Sequence, residues 1–153
     1  MIGRLQRVVL ACVAVLAAVT AGAADAPRVT DAWARATPPG APFGAVYLRI
    51  EGGAVADRLL AATTPRSQRV ELHTSAASGG MTGMRAVFVL EIPAGGHVQL
   101  VPQGLHLMLI GLTGPLRAGE TLPLALRFEY GGDVSVEVHV RAPTADHETT
   151  APD

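Results

Sequence analysis

The chain has 153 residues, a formal net charge of −1 and one cysteine. Its length suits one domain of ordinary size. A charge so close to zero gives no electrostatic footprint for a nucleic-acid partner, and a single cysteine excludes an internal disulfide. Hydrophobic residues make up 49% of the sequence, but part of that share lies in an N-terminal segment with the marks of an export signal.

Arg4 and Arg7 form a short basic region, and Val8 to Val19 is an apolar run of twelve residues. Ala21-Gly22-Ala23-Ala24 then supplies the small residues that a signal peptidase prefers. Cleavage is expected after Ala23 or Ala24, which makes residues 1–24 a signal peptide. The run is shorter than the roughly 20 apolar residues a membrane span needs, so no span is expected in the mature form. Cys12 lies inside the apolar run. A lipoprotein reading would put Cys12 at the cleavage point and leave only Val8 to Ala11 as the apolar core, short of the usual seven or so residues. An ordinary secretory signal is therefore expected, and a mature protein without cysteine.

After a leader over Asp25 to Thr30, the chain reads as short strands separated by turn signals, with no long helix. Strands are expected over 32–36, 45–50, 57–63 and 69–73. Val46, Leu48 and Ile50 share one face of the second, and Val70 and Leu72 lie opposite His73 in the fourth. Residues 75–83, SAASGGMTG, read as a loop. A strand opening at Met84 runs to about Ile92, the turn Pro93-Ala94-Gly95-Gly96 follows, and another strand covers 97–101. Pro102-Gln103-Gly104 leads into Leu105 to Leu112, a candidate buried strand. Leu122, Leu124, Leu126 and Phe128 alternate, as do Val134, Val136, Val138 and Val140, and Gly131-Gly132 between them signals a hairpin. Pro123 favours a strand start or an edge. The polar stretch over 143–153 reads as a disordered tail. The sum is an all-β sandwich or barrel.

Four residues carry the chemistry. Ten residues lie between His73 and Met84, twenty-one between Met84 and His106, and one between His106 and Met108. Two imidazoles and two thioethers make a soft, neutral donor set suited to Cu(I). His106 and Met108 stand at i and i+2 of a strand and so share a face. His73 at a strand end and Met84 just past the loop would fold back to meet them at one end of the sandwich. A lone strand methionine is usually core filling. Outside the signal, however, the chain has only three methionines, and two of them belong to this set.

The arrangement resembles the signature of the periplasmic copper chaperone family called PCuAC. Flanking segments agree: Val70-Glu71-Leu72-His73-Thr74, Ile92-Pro93-Ala94-Gly95-Gly96, Gly104 to Leu112, Leu116 to Leu124, and Asp31-Ala32-Trp33-Ala34-Arg35. The resemblance covers roughly residues 29 to 141. It implies a cupredoxin-like, Greek-key β-sandwich over residues 25–142 that binds Cu(I) through His73, Met84, His106 and Met108. It also implies a periplasmic location and delivery of copper to cytochrome c oxidase, at the copper domain of subunit II, or to another periplasmic copper chaperone. Storage or resistance without dedicated oxidase delivery is the alternative. A monomer is expected. Many relatives carry a methionine at or near the position after the first histidine, where this chain has Thr74 and Ser75; Met81 would replace it or do nothing. A tail rich in His and Met, implicated in Cu(II) binding in some relatives, is here reduced to His147, so a solvated tail is expected ahead of a weak Cu(II) site. His97 and His139 are expected to be exposed.

Other functions fit poorly. A blue-copper electron carrier needs a Cys thiolate, which the mature chain would lack. No nucleophile, His–carboxylate set or thiol pair points to an enzyme. Protons are expected to compete with copper for the two imidazoles, so binding should weaken in acid.

Overall fold

The computed structural model describes residues 26–78 and 81–143. The expected signal peptide, most of the expected tail and the Gly79-Gly80 pair lie outside the described residues. Ten strands fill the described chain: β1 (Arg28–Arg35), β2 (Phe43–Glu51), β3 (Asp57–Thr63), β4 (Ser67–Ser78), β5 (Met81–Ala86), β6 (Leu90–Ile92), β7 (His97–Leu100), β8 (Leu105–Leu112), β9 (Thr121–Phe128) and β10 (Gly132–Arg141). They form one sheet in the order β5-β4-β8-β2-β1-β10-β9-β3-β6, with β7 added beside β2. Neighbours are antiparallel except β1 and β10, which run parallel. No described helix is long and apolar enough to cross a membrane.

The sheet curls because its two halves share a core. Val46, Leu48 and Ile50 of β2 and Leu107 and Leu109 of β8 join Leu59 of β3 and Leu122, Leu124, Leu126 and Phe128 of β9 in one buried cluster. Period-two alternation puts these residues inward, and each fully buried aliphatic side chain contributes roughly 1.5–3 kcal/mol. The hairpin of β9 and β10 forms as its alternation predicts, with Val136 opposite Leu124 and Val138 opposite Leu122. Pro123 comes before Ala125, the point where β3 begins to pair with β9, so its missing N–H breaks no bond to that strand.

Three expectations need correction. First, β1 begins at Arg28 rather than 32, because Arg28, Val29 and Thr30 pair with Glu51, Ile50 and Arg49. A bulge follows: Asp31 has φ 52° and the register shifts before Trp33, which then faces Tyr47. Second, the region read as a loop is a hairpin. β4 continues to Ser78, and His73 through Ser78 pair with Ala86 through Met81. His73 is therefore in mid-strand, and Met84 lies inside β5 rather than opening a strand. Third, the strand expected from Met84 to Ile92 is split, with β5 ending at Ala86 and β6 starting at Leu90.

Candidate metal centre

Register decides which side chains meet. On an antiparallel ladder, residues directly opposite project from the same face. His73 is opposite His106, Glu71 opposite Met108, and Met84 opposite Ser75. Period two puts Glu71, His73 and Ser75 on one face of β4, and His106 and Met108 on one face of β8. Met84, His73, His106 and Met108 therefore share the outer face of three adjacent strands, β5, β4 and β8. The opposite face carries Leu72, Leu107 and Leu109, all buried in the core. The four residues gather on a sheet face and not, as expected from the sequence, at an end of a sandwich.

The rings form a row across four strands. Trp33 and Tyr47 have centroids 4.6 Å apart, Tyr47 and His106 6.4 Å, and His106 and His73 6.1 Å. Tyr47 helps to bury His106, whose residue exposure is 6%. A metal–imidazole bond is about 2.0–2.1 Å, so a centroid separation of 6.1 Å is compatible with both rings binding one ion. Met108 is half-buried, and Met84 is 62% exposed.

A tight turn aims His106. Gly104 N–H donates to the Val101 carbonyl at 3.1 Å, and Gln103 has φ 64°. Pro102 followed by a left-handed residue is the pattern of a type II turn, with Gln where Gly or Asn is usual. The Gly104 carbonyl then accepts the Nδ1 proton of His106 at 3.0 Å and the Ser75 N–H at 3.2 Å. A carbonyl only accepts, so Nδ1 of His106 carries a proton, and Nε2 is the ring nitrogen that a metal would have to meet.

His73 Nε2 lies 2.9 Å from Glu71 Oε2, and Arg69 Nε donates to Glu71 Oε1 at 2.7 Å. These bonds, His73 foremost and then Arg69, hold the Glu71 carboxyl below the usual carboxylate range. Nδ1 of His73 is buried and has no hydrogen-bond partner, the one such side-chain atom among the described residues. Leaving a buried polar nitrogen unpaired is costly, and a bound metal would satisfy it. Among the described residues, no group of three or more His, Cys, Asp or Glu is arranged for a metal. A metal held here would therefore draw on thioether sulfur, which suits a soft ion.

An open cleft of about 700 Å³ adjoins these residues. Met84, His106 and Met108 line it, together with Phe43, Tyr47 and Gln103; His73 is not part of its wall. The side chain of Met81 and all of His147 lie outside what the structure describes. His97 and His139 are exposed, as expected. Sequence reasoning passed over Glu71, Tyr47 and the Gly104 carbonyl. Only the i, i+2 spacing of Glu71 and His73 pointed to the first, and nothing local pointed to the other two.

A family model described as "Putative lipoprotein LpqE-like" matches residues 28–140. "Putative lipoprotein Lxx21020" of Leifsonia xyli subsp. xyli (strain CTCB07) is 36% identical over 121 residues, covering 77% of this chain and 71% of the relative. The solution structure of CuI-DR1885 from Deinococcus radiodurans is 33% identical, with 82% of this chain and 83% of that chain covered and a TM-score of 0.59. The copper-bound PCuAC domain from PmoF2 is 21% identical, covers 79% of this chain and 97% of its own, and has a TM-score of 0.67. That last likeness is one of fold: the all-β, cupredoxin-like architecture expected from the sequence is the one the chain adopts.

Proposed function

This chain belongs to the LpqE-like, PCuAC-type family, and from that premise we propose that it is an exported copper chaperone that carries Cu(I) on His73, Met84, His106 and Met108. One observation carries the reading. Two imidazoles and two thioethers share one face of three adjacent strands, and each imidazole is tied at one ring nitrogen, Nε2 of His73 by Glu71 and Nδ1 of His106 by the Gly104 carbonyl, which leaves the other nitrogen to a metal. The relative from Deinococcus radiodurans, whose structure is of a CuI form, supports the choice of ion. The family and its Leifsonia xyli relative are described as lipoproteins, which supports export, and we place the protein in the periplasm.

The mechanism follows from exposure. Neutral ligands add no negative charge, so they favour Cu(I) over Cu(II), and no thiolate bond has to be broken on release. Met84, on the strand at one end of the sheet order and largely exposed, is the first ligand an acceptor can displace. Met108 follows from the cleft wall. The two histidines, His73 in mid-strand and the buried His106 at the start of β8, let go last. An incoming Cys, His or Met thus replaces ligands one at a time through a shared-ligand intermediate. The acceptor we propose is the copper centre of cytochrome c oxidase, as the family resemblance implies. The domain boundaries read from the sequence, 25–142 after a signal over 1–24, go with this proposal.

The test has two arms. Purified protein should bind one Cu(I) per chain, and changing Met84, His106 and Met108 together to alanine should abolish that binding; unchanged affinity would overturn the site. Copper-loaded protein mixed with an oxidase copper domain should transfer its metal. Binding without transfer would leave storage as the function.

A further inference from the structure

The Arg69–Glu71–His73 row on β4 does more than decorate an exposed strand face. These residues stand at i, i+2 and i+4 and so project from the same side. Both oxygens of Glu71 are engaged: Oε1 by Arg69 Nε at 2.7 Å and Oε2 by His73 Nε2 at 2.9 Å. Glu71 faces Met108 across the ladder, and His73 faces His106. The carboxylate therefore stands beside the donor set without being free to join it.

We infer that Glu71 is a positioning residue for the metal: it holds His73 as the Nε2–H tautomer and so makes Nδ1 the atom that binds copper. An ionised carboxylate has no proton to donate, so the short contact at Oε2 places the imidazole proton on Nε2. The other nitrogen, Nδ1, is the buried atom that no hydrogen bond satisfies. A histidine that donates one N–H to a carboxylate while the other nitrogen binds metal is a recurring arrangement, and removing such a partner typically costs 10–100-fold in affinity. Arg69 completes the device. By occupying Oε1 it restrains the carboxylate from turning to the ion as a hard oxygen ligand, which would favour Cu(II). The two histidines thus present different atoms: His106, tied at Nδ1 by the Gly104 carbonyl, offers Nε2, and His73 offers Nδ1.

This inference rests on the copper-binding reading, and its test separates the two. Long-range nitrogen–proton NMR of the full apoprotein reports which ring nitrogen of His73 carries the proton, with no substitution needed. The expected result is protonated Nε2 and bare Nδ1. On titration with Cu(I), the His73 Nδ1 and His106 Nε2 resonances should move most. A His73 found protonated at Nδ1, or bound through Nε2, overturns the inference even if copper binds normally. Absence of any histidine response to Cu(I) overturns the copper reading, while the apoprotein spectrum still reports on the tautomer. In variants, Glu71→Ala should lower Cu(I) affinity about 10–100-fold, measured by competition with a chromophoric chelator. Glu71→Gln, which keeps an acceptor oxygen, should recover most of that loss. Equal affinities for wild type and Glu71→Ala, with the tautomer unchanged, would show that Glu71 positions nothing.

Discussion

Substituting Met84 and His106 separately should split metal binding from stability. Met84 is 62% exposed, so it contributes little to packing. Met84→Ala should change apoprotein stability by no more than about 0.5 kcal/mol, as surface substitutions usually do. His106 is 6% exposed and packs beside Tyr47 and His73. His106→Ala removes a buried ring, but the Gly104 carbonyl keeps the Ser75 N–H as a donor. The cost is then mainly lost packing, roughly 1–3 kcal/mol. For a domain of this size that lowers the apoprotein melting temperature by roughly 4–10 °C. Copper acts by mass action: free Cu(I) at about 100 times Kd adds about 2.7 kcal/mol, a rise of roughly 10 °C. Thermal melts with and without Cu(I), at a fixed free concentration set by a chelator buffer, measure both quantities. Met84→Ala should melt like wild type without copper and lose a large part of the copper-induced rise. His106→Ala should melt lower without copper and show almost no rise. A full copper-induced rise in Met84→Ala would refute its role as a ligand, and a wild-type apo melt for His106→Ala would refute the burial argument.

Two further predictions concern the scaffold and its export. Asp57 is 4% exposed and accepts backbone N–H groups from Arg58, Tyr130 and Gly131 at 2.7, 3.0 and 2.8 Å. Burial pushes its carboxyl up, but the N–H bonds outweigh burial and leave it below the ordinary value. A folded-state pKa below the unfolded one stabilises above the unfolded pKa, and that contribution fades as pH falls through the folded value. Asp57→Ala should therefore cost roughly 3 kcal/mol at pH 7 in urea unfolding and markedly less near pH 2; an equal cost at both pH values would contradict this. Mass spectrometry of the exported protein should find an N-terminus at Ala24 or Asp25. A lipid-modified Cys12 at the N-terminus would instead mark a lipoprotein.

Much of the fold was legible where alternation was strong. Asp57–Thr63 and Leu105–Leu112 were read with the bounds they have, because apolar residues and turn signals delimit them. The pairing of His106 with Met108 followed from strand period alone. The hairpin of β4 and β5 was not legible. Ser75, Ala76, Ala77 and Ser78 of β4 and Gly83 of β5 have weak strand propensity, and the pairing of the two strands holds them in place. Missing that hairpin hid how Met84 reaches the site. It comes over Ser75, one strand beyond His73, and not around a loop. The roles of Glu71 and the Gly104 carbonyl were also out of reach. Only the i, i+2 spacing from His73 hinted at the glutamate, and a turn carbonyl carries no signal until register and hydrogen bonds place it beside an imidazole.

X-ray absorption on the copper-loaded protein tests the central claim most directly. The account predicts one Cu(I) per chain with two nitrogen and two sulfur neighbours, and loss of one sulfur in Met84→Ala. A copper shell of nitrogen and oxygen alone, or one unchanged in Met84→Ala and Met108→Ala, would contradict it.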